Sequence, residues 1–263
     1  MAPKLAEFIG RTFQRIRLQL ESRGPRQPLV VYAPDTRSFR EAIAFLGGSV
    51  PKDWVVAVAF PAREVMVLSG EHLSFLPVEE YPKTIAHEIA HLVLGADRKG
   101  IPRWYHEGLA QWLSGDGINR EWSAILGMLS RQDSLVSLER LARAFSDSHR
   151  LDTLFYRQSL SFIDSVTRRH GEAVHARILD GVAKGLRFPA SFRRVTGETI
   201  EEIEMLWHEE LAREFSWFWF IAHSIHLFQI LAMVVVIGFM VQWLRRRRAL
   251  RRMAAEEALD EQP

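Results

Sequence analysis

Two histidines four residues apart, with a glutamate beside the first, sit in an otherwise apolar stretch: Thr84-Ile-Ala-His87-Glu88-Ile-Ala-His91-Leu-Val-Leu94. No other feature of the 263 residues restricts the fold as much. Pro82 suits a first helical position and Gly95 a C-terminal stop, so the run predicts a helix. On that helix the two imidazoles share a face one turn apart, and Ile85, Ala86, Ile89, Ala90, Leu92 and Val93 cover the rest. Such a helix belongs between two lobes of the protein, with one polar stripe kept open.

The polar stripe has the chemistry of a metal site. His87 and His91 suit two corners of a tetrahedral zinc, and Glu88 is placed to act as general base on an activated water. The chain has no cysteine, which excludes thiolate-bound zinc, iron–sulfur clusters, disulfides and a thiol nucleophile. A third protein ligand is therefore a histidine or a carboxylate. Pro102-Arg-Trp-Tyr-His106-Glu107-Gly-Leu-Ala-Gln-Trp112 opens a second predicted helix, and Glu107 lies 16 residues past His91. A loop containing Asp97 and Gly100 lets this helix turn back alongside the first, with Gly108 permitting a close approach. Glu107 then completes a His₂Glu set, with His106 and Asp97 as competing donors. A metzincin arrangement fails, because it requires Gly at position 94 and His at 97, where Leu94 and Asp97 stand.

The HEIAH run followed by WYHEGLAQW resembles the gluzincin metallopeptidases, in particular the peptidase MA-like domains of bacterial envelope proteins. Looser similarities continue downstream: Tyr156-Arg-Gln-Ser159 with Phe162, then His170-Gly171, then Val195-Thr-Gly197 with Glu204 and Trp207. They cover about residues 28–212 in the family's order. The resemblance implies a thermolysin-like domain: a sheet whose edge strand lies over a cleft, then the zinc helix, then the glutamate helix. It implies peptide-bond hydrolysis by a zinc-activated water, with zinc on His87, His91 and Glu107 and Glu88 as base. It also brings Tyr156 forward as the donor to the developing oxyanion, with His149, His170 and His175 as other candidates. The competing reading is a catalytically inactive, zinc-stabilised scaffold or binding module at the membrane. An intramembrane protease is disfavoured, because the apolar run around His87 is about 13 residues and a span needs about 20.

Charge is unevenly distributed. The formal net charge is +2, from 34 basic and 32 acidic residues. Residues 217–244 contain no charged side chain, and residues 245–263 hold six Arg against four acids. The first 216 residues thus carry 28 of each sign, which argues against a nucleic-acid partner. The uncharged run, flanked by Trp217, Trp219 and Trp243 and followed by Arg245–Arg248, predicts one C-terminal transmembrane helix. The positive-inside rule puts the Arg-rich tail in the cytoplasm and the catalytic domain outside it. The expected partners are a peptide or protein substrate and, through that helix, a lipid bilayer.

The remaining pattern predicts an α+β zincin-like domain with a small N-terminal sheet and a C-terminal helical lobe. Leu5, Phe8, Ile9, Phe13, Ile16 and Leu20 recur at helical spacing, giving an amphipathic helix over 1–25 with no apolar export signal within it, so export is expected to depend on a start further upstream. Val-rich runs at Leu29–Ala33, Val55–Phe60 and Val65–Ser69 predict strands, the last a candidate for strand addition by an extended substrate. Ser38-Phe-Arg-Glu41 and Thr199-Ile-Glu-Glu202 are capping-box patterns that open helices. The expected organisation is an N-terminal helix over 1–25, a metallopeptidase domain over 26–215, the span over 217–244 and a basic tail over 245–263.

Overall fold

The computed structural model describes residues 2–21, 29–49, 55–77, 80–95, 100–143, 149–214, 229, 232–243 and 245. The chain divides into two units, Met1–Glu214 and Phe215–Pro263. The first unit begins with α1 (Ala2–Gln19), whose Ile9, Phe13 and Ile16 are buried, as is Leu20 just past its end. The spacing i, i+4, i+7, i+11 builds one apolar stripe. This stripe enters the main core, so the helix is a structural wall of the domain. Arg15 also donates from Nη2 to the carbonyl of Leu113 at 3.0 Å, satisfying a helix-end acceptor.

Three strands follow, β1 (Leu29–Ala33), β2 (Ala57–Phe60) and β3 (Val65–Ser69), with α2 (Thr36–Phe45) after β1. The sheet order is β1-β3-β2, with β1 parallel and β2 antiparallel to β3. Every residue of β3 is buried, because it is the central strand with both faces covered. Val65 and Val67 pack with Phe39 and Ile43 of α2 on one face, while Met66 and Leu68 join the main core on the other. The capping residue of α2 is Asp35, whose Oδ1 accepts from the Ser38 N–H at 2.8 Å. The helix therefore starts one turn earlier than the Ser38–Glu41 pattern predicts. A short helix unannounced in the sequence pattern, α3 (Gly70–Phe75), follows β3 directly.

The rest is helical: α4 (Tyr81–Leu94), α5 (Arg103–Leu113), α6 (Arg120–Arg131), α7 (Leu138–Arg143), α8 (His149–His170), α9 (Ala173–Ala183), α10 (Phe188–Thr196) and α11 (Ile200–Glu214). The Thr199–Glu202 capping box is formed, with Glu202 Oε2 accepting from the Thr199 N–H at 2.7 Å and the Thr199 hydroxyl accepting in return at 3.2 Å. α5 and α8 cross at Gly108, where an added Cβ would stand 2.5 Å from the Ser159 carbonyl oxygen. This glycine thus serves the contact with α8, not the expected approach of α5 to α4. Trp104 of α5 packs edge-on against Phe162 of α8, and Phe162 packs edge-on against Trp207 of α11.

The expected fold class needs one correction. Among the described residues, no helix is long and apolar enough to cross a membrane. Residues 229, 232–243 and 245 are helical. The remainder of 217–244 lies outside the described residues. The predicted transmembrane helix, and the single-pass membrane placement resting on it, are not upheld. What stands is a mostly helical α+β protein with a three-stranded sheet.

Candidate metal centre

α4 takes shape as its sequence dictates. Pro82 lies in its first turn, Gly95 ends it at a positive φ of 81°, and six apolar side chains are buried along it. His87 and His91 remain on the uncovered stripe with their rings perpendicular and 4.6 Å between centroids. Their Nε2 atoms are 3.1 Å apart. From α5, Glu107 brings Oε2 to 3.5 Å from each of these nitrogens. No other chain segment supplies a donor to this triangle among the described residues.

These distances allow a direct test of fit. Ligands at about 2.0–2.1 Å from a tetrahedral zinc lie roughly 3.3 Å from one another. The three observed separations, 3.1, 3.5 and 3.5 Å, bracket that value. Two imidazoles and one carboxylate are also the donor types of a metal site that keeps a fourth position open. The group could therefore hold a metal ion.

The local electrostatics agree with strong coupling. Burial opposes the charged form of Glu107, but its contacts with His87 and His91 outweigh burial and hold the carboxyl well below its ordinary range. For His87, burial pulls the imidazole down, while the contact with Glu107 and the charges of Glu88 and Glu107 reverse the balance and raise it.

Glu88 points from the same helix to the sheet. Its Oε2 accepts the backbone N–H of Ala59 in β2 at 2.9 Å. Among the described residues β2 pairs only with β3, on its other side, and its outer edge borders the centre. A cleft of about 360 Å³ opens there, lined by Ala59, Pro61, His91, Ile101, Arg103, His106 and Glu107. The expectation that Val65–Ser69 accepts a substrate strand is overturned, because both edges of β3 are already paired within the sheet. β2 is the strand with an open edge on the cleft.

The other expected residues fall in different places. His106 is buried beside Glu107, with its ring stacked on His91 at 5.4 Å, and is outside the ligand triangle. Asp97 lies outside the described residues. Tyr156 is half-buried on α8, where its carbonyl accepts from Gln111 Nε2 at 2.9 Å, and it is not among the residues lining the cleft. His170 faces Glu198 at 3.5 Å. His149 begins α8. His175 is fully buried, with Nδ1 2.9 Å from the Tyr105 hydroxyl and Nε2 2.8 Å from Thr167 Oγ1. The Thr167 hydroxyl in turn donates to the Ile163 carbonyl. With the Thr167 hydroxyl so engaged, its oxygen accepts from His175 Nε2; burial favours the neutral ring, whose Nδ1 then accepts from Tyr105, within the core and not at the cleft.

Two elements of the site were missed in the sequence reading. The Ala59 N–H is a backbone group and leaves no compositional trace. Arg103 was visible: it stands four residues before Glu107 on one helix, the spacing at which side chains meet, and its Nε lies 3.6 Å from Glu107 Oε1.

Residues 16–213 match the Peptidase MA superfamily. A region of 154 residues is 25% identical to the uncharacterized protein YhcO of Bacillus subtilis (strain 168), covering 55% of this chain and 44% of that protein. The matched region thus spans less than half the length of that relative. With a family match over most of its length and a His-His-Glu group at the centre of the matched region, the chain belongs to the Peptidase MA superfamily.

Proposed function

We propose that this protein is a zinc-dependent metallopeptidase of the gluzincin type, hydrolysing peptide bonds with Glu88 as general base. The observation that carries the reading is the triangle of His87 Nε2, His91 Nε2 and Glu107 Oε2, with Glu88 on the adjoining edge of α4. Zinc, when bound, supplies a Lewis acid that activates water near neutral pH and polarises a carbonyl. His87 and His91 would hold it through Nε2 and Glu107 through Oε2. The Ala59 N–H fixes one oxygen of Glu88, leaving Oε1 to take the proton from the attacking water and pass it to the departing amine. An extended peptide lies along the outer edge of β2. The carbonyl of Ala59 points to the same edge as its N–H and accepts from the peptide backbone.

The reading is tested by zinc content and hydrolysis of a quenched-fluorescent peptide library, for wild type and Glu88→Gln. The expected result is equal zinc and a loss of activity of about 10²–10⁴-fold. Equal zinc with unchanged hydrolysis would remove Glu88 from the mechanism.

A further inference from the structure

We infer that Arg103 is a specificity determinant that binds a carboxylate on the residue flanking the scissile bond; this rests on the peptidase reading above. Arg103 is the one cationic side chain among the residues lining the cleft, and the other charged one, Glu107, is turned to His87 and His91 through Oε2. Ala59, Pro61 and Ile101 supply apolar walls, and His106 stacks on His91. A ligand entering the cleft thus meets the guanidinium of Arg103 as its cationic side chain.

The position of that charge is set by the fold. Arg103 Nε lies 3.6 Å from Glu107 Oε1, too far for a good hydrogen bond but close enough for electrostatic attraction. One helical turn of α5 therefore holds the guanidinium at the margin of the metal centre. Its side chain is 57% exposed, so a ligand in the cleft reaches it without disturbing the core. A guanidinium has five N–H donors in a planar fork, more than one carboxylate can use, and it recognises a second carboxylate in bidentate fashion. A peptide lying along β2 runs through the cleft that Ala59 and Arg103 both line. An acidic side chain, or the free C-terminal carboxylate of a short peptide, is attracted there, and a lysine or arginine is repelled.

The test uses zinc-loaded full-length protein carrying Glu88→Gln, so that peptides bind without turnover. One labelled peptide scaffold is scanned with Glu, Gln or Lys at each position, each with a free or amidated C-terminus. Binding is read by fluorescence anisotropy at saturating zinc, with metal content measured for every variant. The expected result is about tenfold tighter binding of the carboxylate form at one position. A preference for internal Glu identifies the side chain as the source, and a preference confined to the free terminus identifies the chain end. The preference is expected to vanish in Arg103→Gln, to weaken in Arg103→Lys, which keeps the charge and loses the fork, and to reverse towards lysine in Arg103→Glu. No carboxylate preference, or one that survives Arg103→Gln, overturns the inference. Wild-type protein that shows the preference but cleaves none of the peptides would count against the peptidase reading and leave the carboxylate site standing.

Discussion

The backbone N–H of Ala59 donates to Glu88 Oε2 at 2.9 Å, tying the edge strand of the sheet to the carboxylate between the two histidines of α4. A general base must be held in one orientation to be effective, and a backbone donor does so without a flexible side chain. Ala59→Pro removes this donor. The N–H points to the outer edge of β2, where proline does not interrupt the ladder with β3. The expected outcome is a kcat lowered about tenfold, with zinc content unchanged and KM altered less, measured by steady-state hydrolysis. An unaltered kcat would show that Glu88 is oriented by other contacts.

Glu107 is the ligand whose loss discriminates most sharply among the candidate donors. Perturbing groups behind a metal ligand costs 10–100-fold in affinity, so losing the ligand itself is expected to cost more than about 100-fold. Glu107→Gln should therefore weaken zinc binding beyond that factor in a chelator competition. The metal-free circular dichroism spectrum should match that of wild type. Stoichiometric zinc with normal activity in this variant would take Glu107 out of the site.

At the α5–α8 crossing, a Cβ at position 108 would stand 2.5 Å from the Ser159 carbonyl oxygen and 2.9 Å from Ile163 Cγ1. Gly108→Ala forces the two helices apart at a packed point, at a cost of about 1–3 kcal/mol. Urea unfolding of the metal-free protein measures it. A loss below the resolution of the titration would mean that the crossing relaxes freely.

His175 makes stability depend on pH. Burial first, and then the charge of nearby His170, hold its pKa down to about 3 against an ordinary 6.5. Below pH 6.5 the unfolded chain takes up a proton that the folded chain refuses until about pH 3. Stability therefore falls as pH drops through this window, with a slope of at most about 1.4 kcal/mol per pH unit from this group. His175→Gln removes the titration. The stability gap between wild type and variant should narrow from pH 7.5 to 4.5 in urea unfolding of metal-free protein. A constant gap would show that the fold leaves the proton affinity of His175 as it is in the unfolded chain.

The legible parts of this protein were those encoded within one helical turn or one short run. The α4 helix could be read from Pro82, Gly95 and its apolar residues, and the shared face of His87 and His91 from their spacing. The Thr199–Glu202 cap was readable because both of its hydrogen bonds close within three residues. The start of α2 was misplaced, because Asp35 and Ser38 both suit a cap and the winner depends on how β1 delivers the chain. The uncharged run over 217–244 matched a span in composition, but composition alone does not specify a spanning helix. Among the described residues, no helix is long and apolar enough to cross a membrane.

By itself the sequence determined the donor chemistry: no thiol, two histidines on one face of a helix, and a glutamate in a second helix downstream. Helical periodicity is local, so it survives translation from letters to structure. Only the tertiary structure decided the remaining relationships. It turned Glu107 Oε2 to 3.5 Å from both imidazoles, placed Ala59 against Glu88 and Arg103 on the cleft, and buried His175 in the core. These depend on how α4, α5 and the edge of the sheet pack against one another. Packing is set by the whole core from Phe13 to Trp207, and no window of sequence contains it.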